Sequence, residues 1–189
     1  MKILLTLVSL VLLPASLLGQ ISSKPVVSHT ALTADQVAIY RTFLSSYNTG
    51  LDAQINVADM TSEFMPDPND FKGCLKEFGP STASEDVHRF STEFSGLRKL
   101  RLIDPNTHKI ADPGIAIRQG VSVNDAVKAG FEAGVLTLSE IIFDPTHHYA
   151  AFSYSFHCGS LCGNGGTVVY ELKDGKWVKS KRFCSFWES

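Results

Sequence analysis

Tyr149-Ala150-Ala151-Phe152-Ser153-Tyr154-Ser155-Phe156-His157 is the stretch on which the fold turns. Phe152, Tyr154 and Phe156 fall on every second residue, which is the period of a β-strand with one buried face. Working outward, residues 168–173 and 176–183 alternate in the same way, and Asp174-Gly175 between them is a two-residue hairpin turn that sets Leu172 opposite Trp177. Upstream, residues 136–143 form another alternating run, closed by Asp144-Pro145-Thr146. Four strands in succession with short turns between them predict an antiparallel meander, because parallel neighbours would need long crossovers.

The preceding sequence reads as helices with short strands. Thr33-Ala34-Asp35-Gln36 is a capping box, and Val37, Tyr40, Phe43, Leu44 and Tyr47 follow on one helical face up to Asn48-Thr49-Gly50. Ile55 and Val57 predict a short strand over residues 54–58, and the Pro- and Gly-containing residues 65–79 predict a loop tethered by Cys74. A second helix is expected over residues 85–94, with Ser84 as cap and Val87, Phe90 and Phe94 on one face, followed by a strand over residues 97–103. Residues 107–120, with Asp112-Pro113-Gly114 at their centre, read as irregular. A third helix is expected over residues 124–133, with Ser122 near its start. The expected fold class is therefore α+β: about three helices packed on one side of an antiparallel sheet that ends in the four-stranded C-terminal meander.

Met1-Lys2 followed by an apolar run to Leu18 has the pattern of an export signal, cut after Gly19. Residues 20–32 then form a flexible lead-in, and residues 33–189 a single domain. The run is shorter than the roughly 20 apolar residues of a membrane span, so the mature chain is expected to be secreted or periplasmic, with no membrane contact. Removing the leader takes away Lys2 and no acid, which makes the formal charge of −2 more negative by one. Such a balance favours no nucleic-acid partner, and the basic cluster Arg98, Lys99 and Arg101 interleaves with leucines as the solvated side of a strand does.

The unusual segment is His157-Cys158-Gly159-Ser160-Leu161-Cys162-Gly163-Asn164-Gly165-Gly166. As a hairpin connection over residues 159–167 it is about twice the usual length. Its glycines allow close approach of something to the backbone, so His157, Gly159, Gly163, Asn164, Gly165 and Gly166 are read as a ligand-contacting loop. Together with Ser139-Glu140-Ile141-Ile142-Phe143 upstream and Gly175-Lys176-Trp177 downstream, this segment resembles a family of small exported bacterial proteins of uncharacterised function. Their C-terminal pattern is Cys-Gly-x-x-Cys-Gly-x-Gly followed by Gly-Lys-Trp. The resemblance covers about the last 50 residues and brings neither an activity nor a cofactor.

Four cysteines in an exported chain predict disulfides. Counting outward from Asp174-Gly175 brings Gly165 opposite Cys184, while Cys158 lies on the far side of the middle strand, beyond the roughly 7 Å reach of a disulfide to Cys184. The expected pairs are Cys158 with Cys162 and Cys74 with Cys184. The rival pairing is Cys162 with Cys184 and Cys74 with Cys158. A Cys-x3-Cys spacing without a following helix is unlike a redox motif. Adjacent His147 and His148 point to opposite faces of a strand and make no metal site with His157. Cys-Gly-Ser resembles the nucleophile segment of papain-like proteases but has the wrong spacing and no histidine after it. No cofactor, metal or catalytic residue is assigned. Phe183, Phe186 and Trp187 are expected to close the core. The functional expectation is a disulfide-stabilised binding or interaction module with an unidentified partner. The alternative is a hydrolase or thiol-redox enzyme centred on the Cys158–Cys162 loop.

Overall fold

A computed structural model describes residues 26–28, 31–47, 54–79, 86–97, 99–160 and 162–189. The leader, most of the lead-in, the helix stop at Asn48-Thr49-Gly50, the Ser84 cap, Arg98 and Leu161 lie outside them. In chain order the elements are β1 (Val26–Ser28), α1 (Ala34–Ser46), β2 (Ile55–Ala58), a 3-10 turn (Asp70–Lys72), β3 (Asp86–His88), β4 (Leu100–Ile103), α2 (Pro113–Arg118), α3 (Val123–Ala133), β5 (Val135–Leu138), β6 (Ile142–Phe143), β7 (Tyr149–Gly159), β8 (Cys162–Lys173), β9 (Lys176–Lys179) and β10 (Phe186–Glu188).

β7 and β8 form the long central hairpin of an eight-stranded sheet ordered β10-β8-β7-β5-β2-β4, with β6 also on β7 and β9 also on β8. From β5 to β9 the pairing is the antiparallel meander expected from the sequence. The other half differs: β2 pairs in parallel with both β4 and β5, so the sheet is mixed. Those strands are joined by long connections carrying β3, α2 and α3, and a parallel neighbour needs such length. A separate parallel pair, β1 with β3, lies outside this sheet.

One face of the sheet carries the main core. Ile39, Tyr40, Phe43 and Leu44 of α1 pack on Val57, Leu136, Phe152, Phe156, Val168 and Tyr170, and Phe131 of α3 stacks on Phe156. The capping box of α1 is complete: Gln36 N–H donates to the Thr33 hydroxyl and Thr33 N–H to the Gln36 side chain. α3 starts at Ser122, whose hydroxyl accepts from Asp125 N–H.

The helix expected over residues 85–94 is instead strand β3 followed by turns. Its backbone donors bond across the fold rather than along it, His88 N–H to Thr61 Oγ1 and Phe90 N–H to Asp59 O. Phe90 and Phe94 still reach the core, edge-on to Tyr40, so the apolar spacing marked burial and not a helix. The third helix of the fold is α2, in the segment read as irregular. Asp112 caps it and Pro113 opens it, a pairing suited to a helix start as well as to a turn. The connection between β7 and β8 is also shorter than expected: Gly163, Asn164, Gly165 and Gly166 pair within β8.

Candidate functional site

Among the described residues, the second face of the sheet is covered by an apolar cluster at one end and carries an open groove at the other. At the covered end, Phe64, Leu75 and Phe78 pack on Ile142, Ala151 and Val169, fastened by the Cys74–Cys184 disulfide with its Cα atoms 5.4 Å apart. Asp70 reinforces this closure by accepting Ser185 N–H at 2.9 Å and the Ser185 hydroxyl at 2.7 Å. Arg182 pairs with Glu77 and lies over the Tyr149 ring at 4.0 Å.

The open end follows from strand alternation. Along β7 the residues opposite Phe152, Tyr154 and Phe156 are Ser153, Ser155 and His157, and the ladder sets Ser153 beside Thr167 and Ser155 beside Thr137. The Ser153 and Thr167 hydroxyls are 3.1 Å apart. These small polar side chains floor an open groove of about 430 Å³ whose walls include Met65, Phe186, Trp187 and Ser185, with Glu63 and Asp67 on its rim. Met65 is 79%, Phe186 54% and Trp187 41% exposed, and Phe183 nearby is 88% exposed. The late aromatics therefore do not close the core as expected; they stand in solvent around the groove.

Trp187 explains the glycines of β8. Its indole lies on the strand, so that a Cβ at Gly165 would meet Nε1 at 2.6 Å and one at Gly163 would meet the ring at 3.3 Å. The ring is also 5.4 Å from that of His157, tilted to it by 35°. The residues read as one ligand loop thus divide: Gly163 and Gly165 form the bed for Trp187, Gly166 lines the groove, and Asn164 with Gly163 lines a second cleft of about 320 Å³ against α2 and α3. Gly159 adopts φ +145°, and a Cβ there would strike Pro113 at 2.6 Å, so its missing side chain admits α2. Pro113 is also 2.6 Å from where a Cβ on Gly130 would stand, which wedges it between α3 and the hairpin tip.

The tip is held by Cys158–Cys162, with Cα atoms 5.1 Å apart, and by Asp112, whose carboxylate accepts Ser160 N–H at 2.8 Å and Ile115 N–H at 3.0 Å. Those donations, Ser160 first, hold the Asp112 carboxyl down at about 2. All four cysteines are in disulfides. The predicted pairs are present, although Gly165 faces Trp187 rather than Cys184, because residues 180–185 leave the ladder between β9 and β10.

Comparison with family models, with curated proteins and with solved structures finds no match to this chain. The functional reading therefore rests on what these side chains can do.

Among the described residues three carboxylate–histidine pairs are present, and none of them lines the groove. Glu140, 1% exposed, accepts from the Thr61 hydroxyl, from His88 N–H at 3.0 Å and from His88 Nδ1 at 2.9 Å. The carboxylate stands between the hydroxyl and the imidazole, whereas a nucleophile needs the imidazole in the middle. His147 Nε2 bonds Asp35 at 2.9 Å, Trp177 Nε1 bonds the same carboxylate at 3.0 Å, and these two contacts hold the Asp35 carboxyl below its usual range. They lock the start of α1 to the β6–β7 turn and to β9. His148 is 3.7 Å from Glu171. Among the described residues, one group of three metal-capable side chains converges, Asp70 with Cys74 and Cys184, and there both sulfurs are in the disulfide and Asp70 is bonded to Ser185. Arg101, from the basic cluster, donates to the buried Asn56 side chain at 2.7 Å.

Sequence reasoning missed Thr137, Ser153, Ser155, Thr167 and Ser185. A signal for Ser153 and Ser155 was available: strand alternation sets these hydroxyls on the face opposite the aromatics of the deciding stretch.

Proposed function

We propose that this chain is an exported, non-catalytic binding module that takes a saccharide chain in the open groove beside Trp187. The observation that carries the reading is the row of Thr137, Ser153, Ser155 and Thr167 along the floor of that groove, walled by an indole that is 41% exposed. A sugar ring offers an apolar C–H face and a rim of hydroxyls. An indole stacks on the first, and serine and threonine hydroxyls, each both donor and acceptor, match the second.

A peptide added as a further strand fits less well, because the β8 edge beside the groove is occupied. β10 pairs with residues 164–166 and β9 with residues 170–173, while Thr167 N–H and Ser180 N–H bond across the gap between them. Against the enzymatic alternative stand the disulfide-bonded state of both tip cysteines and the anionic Asp112 beside them, which disfavours a thiolate. Two disulfides fit an oxidising compartment. Among the described residues no helix is long and apolar enough to cross a membrane.

The test is calorimetric titration of the disulfide-intact protein with oligosaccharides of glucose, xylose, mannose, N-acetylglucosamine and glucosamine. The expected result is binding of at least one series that weakens about tenfold or more in Trp187→Ala, a loss of about 1.4 kcal/mol. Absence of binding across all of them refutes the reading.

A further inference from the structure

We infer that the saccharide this groove selects carries free amino groups, an inference that rests on the groove reading above. It comes from the balance of donors, acceptors and charge that the groove presents.

The charged side chains lining it among the described residues are Glu63 and Asp67, and no lysine, arginine or histidine lines it. Asp67 spends one oxygen on Asn69 N–H at 2.8 Å, and Glu63 makes no side-chain hydrogen bond or ion pair among the described residues. Behind the wall is a third carboxylate, the buried Asp70. It accepts the hydrogen bond donated by the Ser185 hydroxyl, so the lone pairs of the Ser185 oxygen remain as acceptors in the groove wall. On the floor, Ser153 and Thr167 share a hydrogen bond, which uses the proton of one of the two. The nearest guanidinium of the covered end, Arg182, is engaged with Glu77 and the Cys74 carbonyl.

The groove is therefore rich in acceptors and negatively charged. A ligand must bring donors, and a cationic donor gains most. A sugar ammonium supplies three N–H donors and a positive charge while keeping the C–H face for Trp187. A uronic acid would set carboxylate against carboxylate. An N-acetylated sugar replaces the ammonium by a single neutral donor.

The experiment compares oligomers of glucosamine with N-acetylglucosamine oligomers of the same length and linkage, and with polylysine, by calorimetry on the intact full chain at mildly acidic pH. The expected order is glucosamine oligomers tightest, with affinity falling as salt is raised. Glu63→Gln combined with Asp67→Asn should weaken them about five- to tenfold, the amount two exposed ion pairs supply, and should narrow their advantage over N-acetylated oligomers by a similar factor. Both residues are exposed, so these variants should fold. Equal or tighter binding of the N-acetylated series, or an unaltered affinity in the double variant, overturns the inference while the groove reading stands. Polylysine binding as tightly as glucosamine oligomers, and insensitive to Trp187→Ala, shows charge attraction alone and also overturns it. Failure of every saccharide sinks the groove reading itself.

Discussion

Replacing Gly165 with alanine tests whether β8 is thinned to seat Trp187. A Cβ at Gly165 would stand 2.6 Å from Trp187 Nε1, 2.7 Å from Trp187 Cε2 and 2.6 Å from the Tyr154 carbonyl oxygen, all closer than real Cβ atoms come. The carbonyl belongs to the neighbouring strand and cannot retreat without prising β7 from β8, so the indole must move. Trp187 is 41% exposed. Its covered part is on the order of 150 Å², worth about 3 to 4 kcal/mol at 25 cal/mol/Å² as an upper bound. A partial displacement with local overpacking should cost about 1 to 3 kcal/mol. Urea unfolding followed by tryptophan emission measures it, with Trp177→Phe as the common background so that Trp187 is the sole reporter. Gly165→Ala should lower the midpoint and red-shift the native emission. Gly79→Ala, where a Cβ would meet nothing within 4 Å, should change stability by less than about 0.5 kcal/mol. An unchanged midpoint and native spectrum for Gly165→Ala would refute the account of the glycine bed.

Three other outcomes follow from the same geometry. Glu140→Ala removes the buried carboxylate that accepts from the Thr61 hydroxyl, His88 N–H and His88 Nδ1, and should cost about 3 kcal/mol by chemical denaturation. The two disulfides should differ in effect. Removing Cys74–Cys184, which spans 110 residues, should cost about 5 kcal/mol in the chain-entropy model, against about 2 kcal/mol for the four-residue span of Cys158–Cys162, as compared by thermal unfolding of the paired alanine variants. Asp112, depressed to about 2, contributes stability that is complete above the usual carboxylate value near 3.8 and is lost as pH falls toward 2. An NMR titration should show the Ser160 and Ile115 amides shifting with a midpoint near 2, and Asp112→Ala should speed hydrogen exchange at both.

The C-terminal half was legible because its signals are local. Alternation of Phe152, Tyr154 and Phe156 and the Asp174-Gly175 turn determine strand pairs within a few residues of each other, and the Cys74–Cys184 assignment needed only the relative order of strands. The register that supported it was off by three residues, since nothing in residues 180–185 announces that they leave the ladder. The parallel half was illegible for the opposite reason. The pairing of Asn56 with Arg101 and Val135 depends on distant segments, and no local period encodes it. Phe90 and Phe94 misled because burial in a turn can mimic helical spacing when the partners, here Tyr40, come from another element. The groove was hidden in plain alternation: the aromatics of β7 were read for the core they build, and the serines between them for nothing.

The positions of the cysteines also order events during synthesis. Cys74 emerges first and must wait for Cys184, near the end of the chain, while Cys158 becomes available earlier and is a competing partner. Closure of the four-residue Cys158–Cys162 ring at the hairpin tip needs little of the rest of the fold and removes that competitor. The small ring thus guards the large one, a consequence of where the cysteines stand in the sequence.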